Sequence, residues 1–132
     1  MKPLIFATEL LTLLETKNLV LIDASNGKEA FNNYLASHLQ GALFVDLNTQ
    51  LATIKEDVAE GGRHPLPTLE QFSKVVGALG ITPESHVVVY DDKNGANAAA
   101  RFWWMLKAVG HEKIQVLNGG KQAAEKIDFP ME

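Results

Sequence analysis

No cysteine occurs anywhere in the 132 residues. That excludes a thiol nucleophile, a disulfide and a cysteine metal ligand within this sequence. Long hydrophobic runs are missing too: every apolar stretch falls far short of the roughly 20 residues a membrane span requires, so no membrane partner is expected. The start, Met1-Lys2-Pro3-Leu4-Ile5, lacks a signal-peptide core and cleavage site, which reads as a cytoplasmic chain. Basic clusters are also absent. Lys and Arg number 12 against 16 Asp and Glu, they are scattered, and the net charge is −4. No electrostatic footprint for nucleic acid results. A soluble protein or a small molecule is the expected partner.

What is present fits one domain, residues 1–132. This length suffices to bury about two thirds of the surface of the unfolded chain without a disulfide or metal staple. No repeat or low-complexity stretch interrupts it. Strand and helix signals alternate, the pattern of an α/β fold with a mostly parallel sheet. Leu19-Val20-Leu21-Ile22, ending at Asp23, and Val87-Val88-Val89-Tyr90 are continuous apolar runs, as expected for strands covered on both faces. Residues 42–45 and 114–117 are shorter strand candidates. Thr8 is positioned to cap a helix running to Leu14. Thr68 heads another, with Leu69, Phe72, Val75, Val76 and Leu79 at helical spacing before Gly80. Residues 50–67 form the longest irregular piece, a length that is usually functional or mobile, and it carries Arg63 and His64.

The densest information lies in residues 87–106: a buried strand, a short polar loop with Asp91 and Asp92, then an apolar helix. In an α/β domain the loop at a strand's carboxyl end faces the ligand crevice, and the next helix start offers free N–H groups to an anion. On a wheel at about 100° per residue, Ala99, Phe102, Trp103 and Leu106 share one face of a helix over 96–107, with Ala98 and Met105 on its shoulder. Asn97, Arg101 and Lys107 mark the other side, and Trp104 falls among them. Two readings stand for Trp104: half-burial under a neighbouring loop, or contact with a further domain.

Several phrases, in order, resemble the rhodanese superfamily, specifically the amino-terminal half of tandem thiosulfate and 3-mercaptopyruvate sulfurtransferases. They are the strand ending at Asp23; Ser37-His38-Leu39-Gln40-Gly41-Ala42, similar to the family's His-Ile-Pro-Gly-Ala turn with Gln40 for proline; and Arg63-His64-Pro65-Leu66-Pro67. Then come Val87 to Asp91, Ala99-Ala100-Arg101-Phe102-Trp103-Trp104-Met105-Leu106, Gly110-His111, and Val116-Leu117-Asn118-Gly119-Gly120. Each phrase is weak alone, and the ordered series over nearly the whole chain is strong. The resemblance implies a three-layer α/β/α domain with a parallel five-stranded sheet and helices on both faces. It also implies no cofactor, no metal, and a partner: a second rhodanese domain carrying the catalytic cysteine in the same native chain. Phe129-Pro130-Met131-Glu132 resembles the point where the first half passes into its linker.

In the family's catalytic half, a cysteine at the end of the central strand takes up sulfane sulfur as a persulfide within a loop of backbone amides. The matching position here is Asp91, so no catalytic residue is expected. Two roles for Asp91 stand side by side: its carboxylate fills the amide nest, or it caps the following helix. Capping, or support of the turn through Asn94 and Gly95, is the reading for Asp92. Arg63, His64, Tyr90, Asp91 and Trp104 are the cleft or interdomain candidates. Asp23, His38, Gly41, Arg101, Gly119 and Gly120 are read as structural: Asp23 anchoring backbone N–H groups, His38 bonding the backbone of a tight bend, Arg101 in a surface or interdomain salt bridge. His111 is read as helix C-terminal capping. Lys121 departs from the family's usual aromatic, thinning the apolar packing there. Asn48 stands where the mercaptopyruvate branch uses a carboxylate, which puts thiosulfate ahead as substrate.

Two rivals have their own sequence tests. A metal-dependent phosphatase-like enzyme would gather Asp23, Asp46, Asp91, Asp92 and His64, but it needs a second aspartate two positions after the first, where Lys93 stands. Rhodanese-related phosphatases use Cys-x5-Arg, which the lack of cysteine excludes. A stand-alone docking or regulatory module is the other rival, decided by whether the gene ends at Glu132.

Overall fold

The computed structural model describes residues 1–46, 69–92 and 98–132. Ten elements alternate along it: β1 (Leu4–Ile5), α1 (Ala7–Leu11), β2 (Leu19–Asp23), α2 (Ala30–Ala36), β3 (Leu43–Phe44), α3 (Leu69–Ala78), β4 (His86–Tyr90), α4 (Ala98–Ala108), β5 (Ile114–Leu117) and α5 (Gly120–Lys126). The five strands form one parallel sheet in the order β1-β5-β4-β2-β3. The expected parallel α/β architecture is what the chain adopts.

Strand periodicity divides the core in two. Ile22, Val87, Val89, Ile114 and Val116 point to one side of the sheet, where Phe72 of α3 and Ala99, Phe102 and Leu106 of α4 cover them. Leu21, Val88, Tyr90 and Leu117 point to the other, against Ala7 and Leu10 of α1 and Ala124 of α5. Successive strand side chains alternate faces, so the part of a strand buried on both must be apolar, as Leu21-Ile22 of β2 and Val87-Val88-Val89 of β4 are.

Several boundaries differ from the sequence reading. The first helix begins at Ala7 and ends at Leu11 rather than running from a Thr8 cap to Leu14. Glu9 sets that start: its carboxylate accepts the Phe6 N–H at 3.3 Å, while the Phe6 carbonyl accepts the Leu10 N–H at 2.9 Å. The strand within 42–45 is only Leu43–Phe44, since Ala42 N–H turns back to the Leu39 carbonyl. The third helix ends at Ala78 and its last turn closes through Gly80 N–H to Gly77 O and Ile81 N–H to Val76 O. Thr68 and residues 50–67 lie outside the described residues. At the edge of the sheet, Gln115 donates to the Lys2 carbonyl at 2.9 Å and accepts from His86 Nε2 at 2.8 Å, fastening the approach to β1.

Candidate functional site

From β2 the chain crosses outward to β3, and from β4 it crosses the opposite way to β5. β2 and β4 therefore flank the point where the winding reverses, and the crevice outside their carboxyl ends is where an open α/β sheet binds ligands. Asp23 and Tyr90 end these two strands and are direct register partners. A cleft of about 320 Å³ opens there, with Asp23, Ser25, Asn33, Tyr34, Asp92 and Lys121 in its wall. Two somewhat larger clefts, of about 380 and 390 Å³, lie by the Ile81-Thr82-Pro83 turn and beside Thr8 and His86. Size favours them, yet neither is at the strand ends where the topology gathers functional groups.

Asp23 is buried, and its Oδ1 accepts the Ser25 N–H at 2.9 Å. The Tyr90 hydroxyl, also buried, accepts the Leu39 N–H at 3.2 Å, which ties the turn carrying His38 and Gly41 to the end of β4. Burial first, and then the negative charge of Asp23, hold the Tyr90 phenol well above its ordinary range. Tyr34 is raised as well, by burial and then by Asp23 and Glu132. A phenol raised in the folded state stays protonated while the unfolded chain ionises. Its contribution is therefore intact below about pH 10 and is lost as pH climbs beyond that. We expect alkaline unfolding to steepen above about pH 10 by up to roughly 1.4 kcal/mol per pH unit from Tyr90. Tyr90→Phe should remove that slope in urea titrations at pH 9 to 11; a slope unchanged in the variant would contradict the assignment.

Asp91 is fully buried. Its Oδ2 accepts the N–H of Ala99, in the first turn of α4, at 3.0 Å, and its backbone carbonyl accepts the Lys121 N–H of α5 at 3.0 Å. Of the two aspartates, it is thus Asp91 whose carboxylate takes an α4 amide. Asp92 instead accepts the Gln122 side-chain amide on its backbone carbonyl at 2.8 Å, and its Oδ1 is shielded from solvent with no hydrogen-bond partner among the described residues. Asn94 and Gly95 lie outside the described residues.

The remaining candidates spread around this centre. His38 Nδ1 donates to the Tyr34 carbonyl at 2.7 Å and its ring stacks on Tyr34 with centroids 4.0 Å apart. Gly41, Gly119 and Gly120 all have positive φ. At Gly119 a side chain would also collide, because a Cβ there would sit 2.7 Å from Ala123 Cβ. Arg101 is partly buried on α4, and that burial lowers its guanidinium pKa. Trp104 is 53% exposed on the same helix, away from the strand-end cleft's lining. His111 reaches back with Nε2 to the Ser85 carbonyl at 2.9 Å, and its N–H caps the Leu106 carbonyl. Arg63, His64 and Asn48 lie outside the described residues.

Sequence reasoning did not pick out Lys121 or Tyr34 as parts of this wall. Lys121 sends its ammonium to the Ser37 carbonyl at 2.8 Å, so the cation joins α5 to the end of α2 where the family has an aromatic. Tyr34 donates to the Ala42 carbonyl at 2.6 Å, and its i, i+4 spacing from His38 was the available signal. Among the described residues no group of three or more His, Asp or Glu is placed to hold a metal ion, and no helix is long and apolar enough to cross a membrane.

A family model described as the rhodanese-like domain matches residues 6–126. The chain is 42% identical over 94 residues to thiosulfate sulfurtransferase from Bos taurus, covering 70% of this chain and 30% of that protein. It is 35% identical over 119 residues to 3-mercaptopyruvate sulfurtransferase from Homo sapiens, covering 86% and 38%. Among solved structures, 3-mercaptopyruvate sulfurtransferase from Leishmania major matches with a TM-score of 0.87 and 29% identity, over 99% of this chain and 36% of that one. The matched region spans about a third of the length of these relatives.

Proposed function

The chain belongs to the rhodanese-like domain family, and from that membership we propose that it is the catalytically silent half of a sulfurtransferase. On this reading it forms one wall of a cleft around a cysteine on a second rhodanese-like domain. Thiosulfate is the proposed donor, ahead of 3-mercaptopyruvate. The observation that carries this is Asp91. In the active members that the sequence resembles, a thiolate at this strand end attacks the outer sulfur of thiosulfate, the sulfur–sulfur bond breaks and sulfite leaves. The persulfide then gives its terminal sulfur to a nucleophile such as cyanide, and the thiolate returns. A carboxylate lacks the soft, polarisable sulfur this exchange needs, and the chain has no cysteine to replace it.

The wall would be built from Arg63 and His64 and from the ends of β2 and β4, where Asp23, Ser25, Tyr34 and Lys121 line the cleft and Tyr90 and Asp91, both fully buried, do not. A docking module without chemistry is the second reading, supported by apolar side chains that the fold leaves open: Phe31 at 52% exposure and Leu35 at 61%.

Thiocyanate formation from thiosulfate and cyanide separates them. The 132-residue chain should give only the uncatalysed background, while the natural polypeptide that contains it should turn over. Catalysis by the 132-residue chain alone would overturn both readings, and an inert natural polypeptide would leave the docking module.

A further inference from the structure

Residues 130–132 run back across the turn that precedes β3. Glu132 N–H donates to the His38 carbonyl at 2.8 Å, His38 N–H to the Glu132 carbonyl at 3.1 Å, and Gln40 N–H to the Pro130 carbonyl at 2.9 Å. Leu39 and Met131 form the antiparallel bridge at the centre of this strap. The bonds donated by Glu132 and Gln40 end on amide carbonyls and are indifferent to pH. The side chains at the end of the strap are not.

The His38 ring is fixed on one side by its stack on Tyr34 and by the 2.7 Å contact of Nδ1 with the Tyr34 carbonyl. A carbonyl oxygen only accepts, so Nδ1 carries hydrogen whatever the charge of the ring. In the neutral ring the other nitrogen, Nε2, is therefore the bare one. It faces a Glu132 carboxylate oxygen at 3.4 Å, and two lone pairs then meet with no hydrogen between them. Only the imidazolium has an N–H on both sides, one for Tyr34 and one for Glu132.

We propose that His38 and Glu132 form a proton-operated latch on the 130–132 strap, closed when the imidazole is charged and slack when it is neutral. One proton taken up at Nε2 closes it. The charged and titratable groups around the ring are the Glu132 side chain and, in the 132-residue chain, its α-carboxylate, which accepts the His38 N–H; Tyr34 from α2; Lys121 of α5 through its bond to Ser37; and Tyr90 and Asp23 behind Leu39. Glu132 and Asp23 are the negative groups and Lys121 the positive one, while both phenols are raised and so stay neutral here. The latch therefore tightens when the imidazole takes up its proton and opens again when the carboxylate is neutralised. Because the Glu132 side chain is 52% exposed, solvent screens the pair and its effect is modest.

The inference does not rest on sulfur transfer, since it is read on the 132-residue chain with no substrate. Amide exchange at Glu132, His38 and Gln40, each rate divided by its intrinsic value, should give protection about three- to fivefold greater at pH 5.5 than at pH 7.5. Val88 and Val89 in the core serve as the internal reference. Glu132→Gln should flatten the dependence, because an amide can donate to the bare nitrogen and accept from the charged ring. His38→Gln should abolish it if that variant folds. Nitrogen-15 spectra of the ring at pH 7.5 should show hydrogen on Nδ1. Equal strap protection at the two pH values, a dependence that survives in Glu132→Gln, or hydrogen on Nε2 at pH 7.5 would each overturn the latch.

Discussion

Asp91→Cys is expected to leave thiocyanate formation at the uncatalysed background, and the new thiol is expected to react about 100-fold more slowly with an aromatic disulfide reagent in the folded chain than in urea. Two effects compete at this position. The Ala99 N–H that now meets Oδ2 at 3.0 Å would favour a thiolate, as any first-turn helix amide favours an anion. Against it stands burial: the Asp91 side chain has no exposed surface, and desolvation favours the neutral thiol. Burial wins, because a donor must reach the sulfur before its ionisation matters, and an opening that costs about 3 kcal/mol leaves roughly one molecule in a hundred reactive. The substitution also replaces a carboxylate cap by a weaker acceptor, a loss of about 1–2 kcal/mol that urea titration should detect. Labelling at the unfolded rate together with thiocyanate formation would show the strand end to be open and competent, and the silence of this domain would then come from one side chain.

The contrast between Asp91 and Asp92 marks where reading the chain succeeds and where it stops. β2 and β4 were legible because strands covered on both sides have to be apolar where they are covered, and α4 because Phe102 and Leu106 repeat at helical spacing. The two-residue strand β1 is too short for any period, whereas β3 was expected within 42–45, and α2 hides its helical character by leaving Phe31 and Leu35 in solvent. At the site, Asp23 and Tyr90 stood out as strand ends, but their pairing is a matter of register, which no single strand encodes. Which of two adjacent aspartates caps α4 depends on the path between strand and helix. Composition and spacing are the same for both.

Phe102→Ala is expected to destabilise the fold by about 3–5 kcal/mol, a fall in Tm of roughly 10–20 °C, the largest loss from any single side chain of α4. Phe102 is fully buried, meets Phe72 edge-on with centroids 6.1 Å apart, and lies in the cluster that joins α3 and α4 to Val87, Val89 and Ile114. Emptying that volume leaves a cavity between a helix and the middle strands that neither can close without moving the other. Since α4 also carries the Ala99 N–H that holds Asp91, the loss should spread to the strand end: amide exchange at Ala99 should accelerate beyond the change at Leu21 on the opposite face. Trp104, two residues away, is the control. With 53% of its surface in solvent, Trp104→Ala should cost well under half as much as Phe102→Ala. Equal losses would mean that both sides of α4 are structural within this domain, and Trp104 would then have no surface to offer a second one.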